Sequence, residues 1–202
     1  WHKVLGELRS MVLAIPGGRG LFSTLQAGFQ HSDRNRVRFD RSVREHLDDM
    51  EMLTQSLASR PTRLTEIVPD DPVGIGASDA ARKGMGGVWF AEGVHPLLWR
   101  APFPAHIQQR LVSFDHPKGD LTNSDLELTG VVGHQDIAAQ QWDIREATIA
   151  VLNDNTPAIS RSKKGSITTK GAAAYLLRIA SFHQRHHRYL ATFDHIGGPA
   201  NA

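Results

Sequence analysis

The chain has 202 residues, of which 40% are hydrophobic and 22% charged, with a formal charge of +2. This is the composition of a soluble globular protein, long enough for one large or two small cored domains. The sequence pI of 9.2 allows a local basic patch, but the near-balanced charge excludes a polycation. There is no cysteine, which excludes disulfides, thiolate zinc sites and cysteine nucleophiles. No apolar run approaches the ~20 residues of a membrane span, and no signal-peptide pattern is present. The chain opens on Trp1 and closes on Asn201-Ala202, which reads as a segment of a longer polypeptide.

The first 68 residues read as helical. Trp1, Val4, Leu5, Leu8, Met11 and Val12 share one helical face, and Pro16-Gly17-Gly18 stops that helix. A short helix is predicted over Leu21–Phe29, followed by a charged stretch with Arg34, Arg36, Arg38 and Arg41. A third helix carries Val43, Leu47, Met50, Leu53 and Leu57 and closes at Arg60-Pro61-Thr62. Pro69-Asp70-Asp71-Pro72 reads as a linker to a second unit over 73–202.

From there the period changes. Strands are predicted over Val73–Ala80 and Met85–Ala91, across a glycine-containing turn, with a third over Leu97–Arg100. Ser124–Gln141 has helical spacing in Leu126, Val131, Ile137, Ala138 and Trp142. Thr148–Asn153 is a β-branched run, hence a strand, and Pro157 suits the first turn of a short helix from Thr156. A helix over Ala172–His186 and a strand over Tyr189–Ile196 complete the order β-β-β-α-β-α-α-β. A meander followed by alternating α and β predicts a mixed five-stranded sheet with flanking helices.

Three acids sit at element ends: Asp79 after the first apolar run, Glu127 at a helix start and Asp154 after the fourth strand. Carboxylates brought together in this way suit a pair of hard divalent cations, and that points to phosphodiester cleavage. Each acid also has a plain structural reading. Asp79 fits hairpin chemistry, and Ser124-x-x-Glu127 fits a capping box, with Asp125 as the alternative ligand. Asp154 fits an Asx turn, with Asn155 or Thr156 capping the next helix. The run His183-Gln-Arg185-His186-His187-Arg188 reads as a solvated helix end or a phosphate-contacting patch in preference to a metal site. The basic stretch Arg161, Lys163, Lys164 and Lys170 is either solvated surface or a contact to a nucleic-acid backbone. Gly84-x-Gly86-Gly87 is no phosphate loop, because neither Gly-Lys-Ser/Thr nor a helix follows it.

Four strings in order resemble the ribonuclease H family. They are Ser78-Asp79-Ala80 with Gly84-Met85-Gly86-Gly87-Val88-Trp89; Glu127-Leu128-Thr129-Gly130-Val131, with Gly where Ala is usual; Asn153-Asp154-Asn155; and His195-Ile196-Gly197-Gly198-Pro199-Ala200-Asn201. Their wording is most similar to ribonuclease H domains of retrotransposon reverse transcriptases, DIRS-like ones in particular. Leu5-Gly6-Glu7-Leu8 and Pro16-Gly17-Gly18-Arg19-Gly20 resemble the connection to the polymerase more loosely. The resemblance implies a ribonuclease H-like fold over 73–202 and a connection or thumb-like segment over 1–68. It implies an endonuclease that cuts the RNA strand of RNA/DNA hybrids with Mg²⁺, or Mn²⁺ as substitute, held by Asp79, Glu127 and Asp154.

In the same family pattern His195 handles protons or product release, and a fourth catalytic Asp is expected about four residues after Asn201, past Ala202. Asn155, Arg161, Lys163 and Lys164 are expected to touch nucleic acid. An upstream polymerase domain of the same polyprotein is the implied partner, in an intracellular retroelement particle. A non-catalytic nucleic-acid-binding or scaffold domain of the same fold is the alternative. A transposase or resolvase is a third, but those space their acids differently.

Overall fold

In the computed structural model, residues 2–29, 41–165 and 171–198 are described. Arg34, Arg36 and Arg38, Lys170 and the Pro199–Asn201 part of the tail lie outside them. Three helices come first: α1 (His2–Met11), α2 (Gly18–Phe29) and α3 (Arg41–Ser59). Strands β1 (Pro72–Ala81), β2 (Gly84–Ala91) and β3 (Leu97–Pro102) follow, then α4 (Ala105–Gln108) and α5 (Asn123–Gln141). The chain continues through β4 (Thr148–Asn153), α6 (Thr156–Lys164), α7 (Ala172–His187) and β5 (Leu190–His195). Short 3-10 turns at Val12–Ala14 and Leu64–Glu66, and α4, are additions to the predicted elements.

The sheet order is β3-β2-β1-β4-β5. β1, β2 and β3 pair antiparallel, while β4 runs parallel to both β1 and β5. This mixed sheet with flanking helices is the ribonuclease H fold. The parallel half requires crossovers, and α5 and α7 supply them.

β1 alternates cleanly. Gly74, Gly76, Ser78 and Ala80 are buried, whereas Val73, Ile75 and Asp79 are exposed. The buried face meets α5, whose Val131 and Ala138 join Trp89, Ile149, Val151 and Tyr189 in the main core. The α1–α3 helices build a second core around Leu21, Leu25, Val43 and Met50, and Phe182 of α7 packs against it. Asp49 of α3, itself buried, takes a bidentate pair from Arg178 of α7, with both bonds at 2.6 Å.

The β1–β2 turn is Arg82-Lys83, not a glycine turn, and Gly84, Gly86 and Gly87 belong to β2. The reason for Gly87 and Gly76 lies in what α5 brings to the sheet. His134 of α5 is fully buried and stacks on Trp89 at a centroid distance of 4.0 Å. The Trp99 Nε1–H donates to His134 Nδ1 at 2.8 Å. A Cβ on Gly87 would lie 2.5 Å from Ala77 O and 2.9 Å from His134 Nδ1, and one on Gly76 would collide with His134 Nε2 and the Trp89 ring. These glycines let an imidazole and two indoles close on the sheet.

Burial depresses the His134 pKa to about 3. Between that value and its ordinary 6.5, the unfolded chain takes up a proton that the folded chain refuses. The stability His134 contributes is therefore complete above pH 6.5 and is lost as pH falls toward 3, by at most about 1.4 kcal/mol per pH unit. Urea unfolding at pH 7 and pH 5 should show the advantage of wild type over His134→Gln shrinking by about 2 kcal/mol. Parallel loss in both proteins would show that His134 does not titrate this way.

Gly130 has no such constraint. A Cβ there meets Ala80 Cβ at 3.4 Å and Met85 Cβ at 3.8 Å, which is ordinary contact. Gly130→Ala in mid-helix should stabilise by about 0.5–1 kcal/mol, read as a higher urea midpoint with unchanged slope. A lower midpoint would mean that α5 cannot accept a methyl group against β1.

Candidate metal and catalytic centre

Asp79 stands near the carboxyl end of β1 on its exposed side, Asp154 follows β4, and Glu127 lies in the second turn of α5. Because β1 and β4 are adjacent and parallel, their ends open at the same edge, where α5 begins. One carboxylate oxygen from each of the three acids lies within 4.8 Å of the others. Asp79 is exposed, Asp154 half-buried and Glu127 buried.

Glu127 is not the cap of its helix. Thr122 is the N-cap, and Asp125 closes the box by accepting from Thr122 N–H at 2.8 Å and from its hydroxyl at 2.7 Å. The helix begins one residue earlier than the spacing predicts, so the capping role falls to Asp125 and Glu127 turns inward. Glu127 Oε2 accepts from Ala80 N–H at 3.0 Å and from Asn153 Nδ2 at 3.1 Å. Asn123 Nδ2 reaches Glu127 Oε1 at 3.4 Å.

Asn153 is a positioning residue to which the sequence reading gave no role. It is fully buried and also donates to Ser78 O at 2.7 Å, while its own Oδ1 accepts from Asn155 N–H at 2.8 Å. The available signal was an amide on the core-facing register of an otherwise apolar strand. Such a group needs polar partners, and Glu127 is one of them.

Burial is the chief reason that Glu127's carboxyl rises from 4.5 to about 7, against the opposing Asn153 hydrogen bond. The charges of Asp79 and Asp154 push it further up. Arg161 and Lys163 do not neutralise the group, since they pair with Asp125 at 3.4 Å and Asp194 at 3.0 Å. Three oxygen donors with mutually repelling charge suit a hard divalent cation, and the residues fit that group.

His195, at the end of β5, is exposed and places Nε2 3.0 Å from Asp154 O. Gly198 in the following tail is close enough that a Cβ would lie 3.4 Å from Asp154 Oδ2. Asn155 is the N-cap of α6, its Oδ1 accepting from Ala158 N–H at 3.0 Å. Lys164 is exposed. Beside Asp79 a solvent-open groove of about 1040 Å³ runs over β2 and β3, flanked by Lys83, Met85, Trp99 and Arg100.

No protein-family model and no curated protein matches the chain. Among solved structures it is similar to ribonuclease H1 of the halophilic archaeon Halobacterium salinarum NRC-1, with TM-score 0.44, 13% identity, and 63% of this chain and 88% of that one covered. LC11-RNase H1 in complex with an RNA/DNA hybrid gives TM-score 0.44 and 12% identity over 64% and 88%. The prototype foamy virus protease-reverse transcriptase gives TM-score 0.38 and 11% identity over 96% of this chain and 24% of that one. At these values the functional reading rests on the chain's own side chains. Among the described residues no helix is long and apolar enough to cross a membrane.

Proposed function

We propose that this chain is a metal-dependent endonuclease that hydrolyses the RNA strand of RNA/DNA hybrids, and that it works within a retroelement reverse transcriptase alongside a polymerase domain. The observation that carries the reading is the convergence of Asp79, Glu127 and Asp154 on one sheet edge, with Glu127 buried and, among the described residues, no cationic side chain paired with it. The four ordered motifs supply the substrate class. Mg²⁺, or Mn²⁺ in its place, would be held by Asp79, Glu127 and Asp154. When bound, such ions activate a water and stabilise the departing 3′ oxygen of a phosphodiester.

The rest belongs to the chain's own groups. Ala80 N–H and Asn153 hold Glu127 through Oε2, so Oε1, with only a long 3.4 Å contact from Asn123, is aimed before substrate arrives. His195 gives its Nε2–H to Asp154 O, which leaves Nδ1 free to take a proton at the reacting phosphate. Lys83 and Arg100 line the same groove as Asp79, and cations there would contact backbone phosphates of a bound duplex. Lys163 is held by an exposed pair worth up to about 1 kcal/mol, so a phosphate competes for it readily, whereas Arg161 is partly covered in its pair with Asp125 and would have to be drawn from it. Lys164 is unburdened by burial, and Asn155 spends its oxygen on capping and keeps its amide N–H groups for a 2′-hydroxyl.

The test is cleavage of a labelled RNA/DNA hybrid with Mg²⁺ or Mn²⁺, using the chain within its full-length protein, with Asp79→Asn alongside. Cleavage of the RNA strand alone, abolished in Asp79→Asn, is the expected result. A folded protein that binds hybrid equally with and without metal and cuts nothing would make it a binding or scaffold domain instead.

A further inference from the structure

The sequence favours a solvated helix end for the histidine run after Phe182, but the structure gives one of these histidines a carboxylate partner and sets a second beside it. His183 and His187 are four residues apart in α7, so they share one face, and their rings lie 4.4 Å apart. Asp136 of α5 meets them from the neighbouring helix, with Oδ1 3.1 Å from His183 Nε2. One ligand atom from each of the three lies within 4.8 Å of the others. We infer that Asp136, His183 and His187 form a second metal site, for a transition cation of the zinc class, bridging α5 and α7.

The hydrogen-bond network behind the cluster decides the argument. Gln135 donates through its amide to Val131 O at 3.2 Å, so its side-chain oxygen is an acceptor, and the buried Tyr189 hydroxyl donates to it at 2.8 Å. The Tyr189 oxygen must then receive its hydrogen bond from His183, whose Nδ1 lies 2.9 Å away. With Nδ1 carrying the proton, neutral His183 turns a bare Nε2 lone pair toward the Asp136 carboxylate. Two acceptors face each other at 3.1 Å, and a positive species between them is required. A second proton on His183 satisfies that pair but uses nothing from His187. A cation uses all three donors.

Other details suit a metal. Gln140 Nε2 donates to Asp136 Oδ2 at 2.6 Å, orienting the carboxylate and leaving Oδ1 available. The Tyr189–His183 bond does the same for the imidazole, which is the outer support that ligating histidines ordinarily have. Ligand atoms of a tetrahedral zinc centre sit roughly 3.3 Å apart, close to the observed His183–Asp136 separation. Solvent reaches His187 through an open cavity of about 590 Å³ that also carries Arg60, Arg145 and Arg188. Arg145 and Arg188 there are already paired with Asp143, Glu66 and Glu146, which lessens their repulsion of a cation at His187. The fourth position falls to water. The site lies about 13 Å along α5 from Glu127, nine residues on, and is independent of the nuclease reading. Its chemical consequence is a staple between two crossover helices.

The test uses the whole chain after chelator treatment. Zn²⁺ is titrated calorimetrically, and Co²⁺ is followed by visible absorption, in wild type, Asp79→Asn, His187→Ala and Asp136→Asn. The expected result is one Zn²⁺ equivalent that Asp79→Asn retains. His187→Ala and Asp136→Asn each weaken it more than about 100-fold, because loss of a direct ligand exceeds loss of an outer support. A Co²⁺ spectrum of nitrogen and oxygen ligation should vanish in the same two variants. His187→Ala leaves the Tyr189–His183 bond in place, and its folding is checked by circular dichroism. Zn²⁺ affinity unchanged in His187→Ala, or no Zn²⁺ uptake by wild type, would overturn the proposal and assign the space to a proton.

Discussion

Glu127→Gln should abolish metal-dependent cleavage, by more than about 100-fold, while leaving the metal-free fold at least as stable as wild type above neutral pH. The two effects have one cause. Burial and the charges of Asp79 and Asp154 raise the Glu127 carboxyl from 4.5 to about 7, so between those values the folded chain holds a proton that the unfolded chain releases. The stability from this group is complete below pH 4.5 and is lost as pH rises through about 7. Glutamine cannot ionise, and its carbonyl oxygen can still accept from Ala80 N–H and Asn153 Nδ2.

At pH 8 the variant should therefore exceed the metal-free wild type by about 1–2 kcal/mol once solvent screening is allowed for, with the gap closing toward pH 4.5. Added Mg²⁺ should raise the midpoint of wild type alone. Chemical denaturation at pH 5 and pH 8, with and without Mg²⁺, reads both effects. A variant that cleaves at the wild-type rate, or that is much less stable at pH 8, would remove Glu127 from the metal site. This dependence runs opposite to that of His134, so each must be measured against its own variant.

Glu66→Ala should lower the unfolding free energy by about 3–5 kcal/mol, equivalent to a fall in Tm of roughly 10 °C. Glu66 is fully buried in the 3-10 turn between α3 and β1. Its Oε1 accepts from Arg63 N–H at 2.9 Å and from Arg188 Nη2 at 3.1 Å, and its Oε2 lies 3.7 Å from Arg185 Nη1. Arg185, also buried, donates onward to Arg60 O and to Thr62 Oγ1. Removing the carboxylate strands one buried guanidinium and half of another, and an unpaired buried charge costs far more than a pair gains.

The internal control is Glu146→Gln. Glu146 also pairs with Arg188, at 3.0 Å, but is partly exposed, and the change should cost less than about 1 kcal/mol. Equal effects of the two substitutions in urea unfolding would mean that the buried network does not hold the α3–β1 connection to α7.

The element order, the meander and the sheet type were legible in the sequence because period-2 and period-3.6 patterns are local and survive in one dimension. β4 and α5 were read almost to the residue for that reason, with Thr148–Asn153 as predicted and the helix beginning at Asn123 instead of Ser124. The hairpin was read in outline, with only Gly84 misplaced into the turn, but nothing local showed why Gly76 and Gly87 stand in its strands. Their purpose, space for His134 and its two tryptophans, involves residues some 45–60 positions away, and no local rule carries that distance.

The three acids could be named from motif order. Whether Glu127 caps its helix or faces inward could not, because the choice depends on whether Thr122 and Asp125 take the cap, and both arrangements fit the same string. Asn153 as the support of Glu127, Glu66 as a buried anchor and the meeting of Asp136 with His183 are products of packing alone. In each case a polar side chain is buried or half-buried by an element far along the chain, and the loss of water turns an ordinary carboxylate, amide or imidazole into one that must find a partner. Local pattern along the chain set which elements form and which acids stand at their ends. Tertiary structure decided which of those charges lost their water, and with it which groups hold the fold together and which stand ready for a cation.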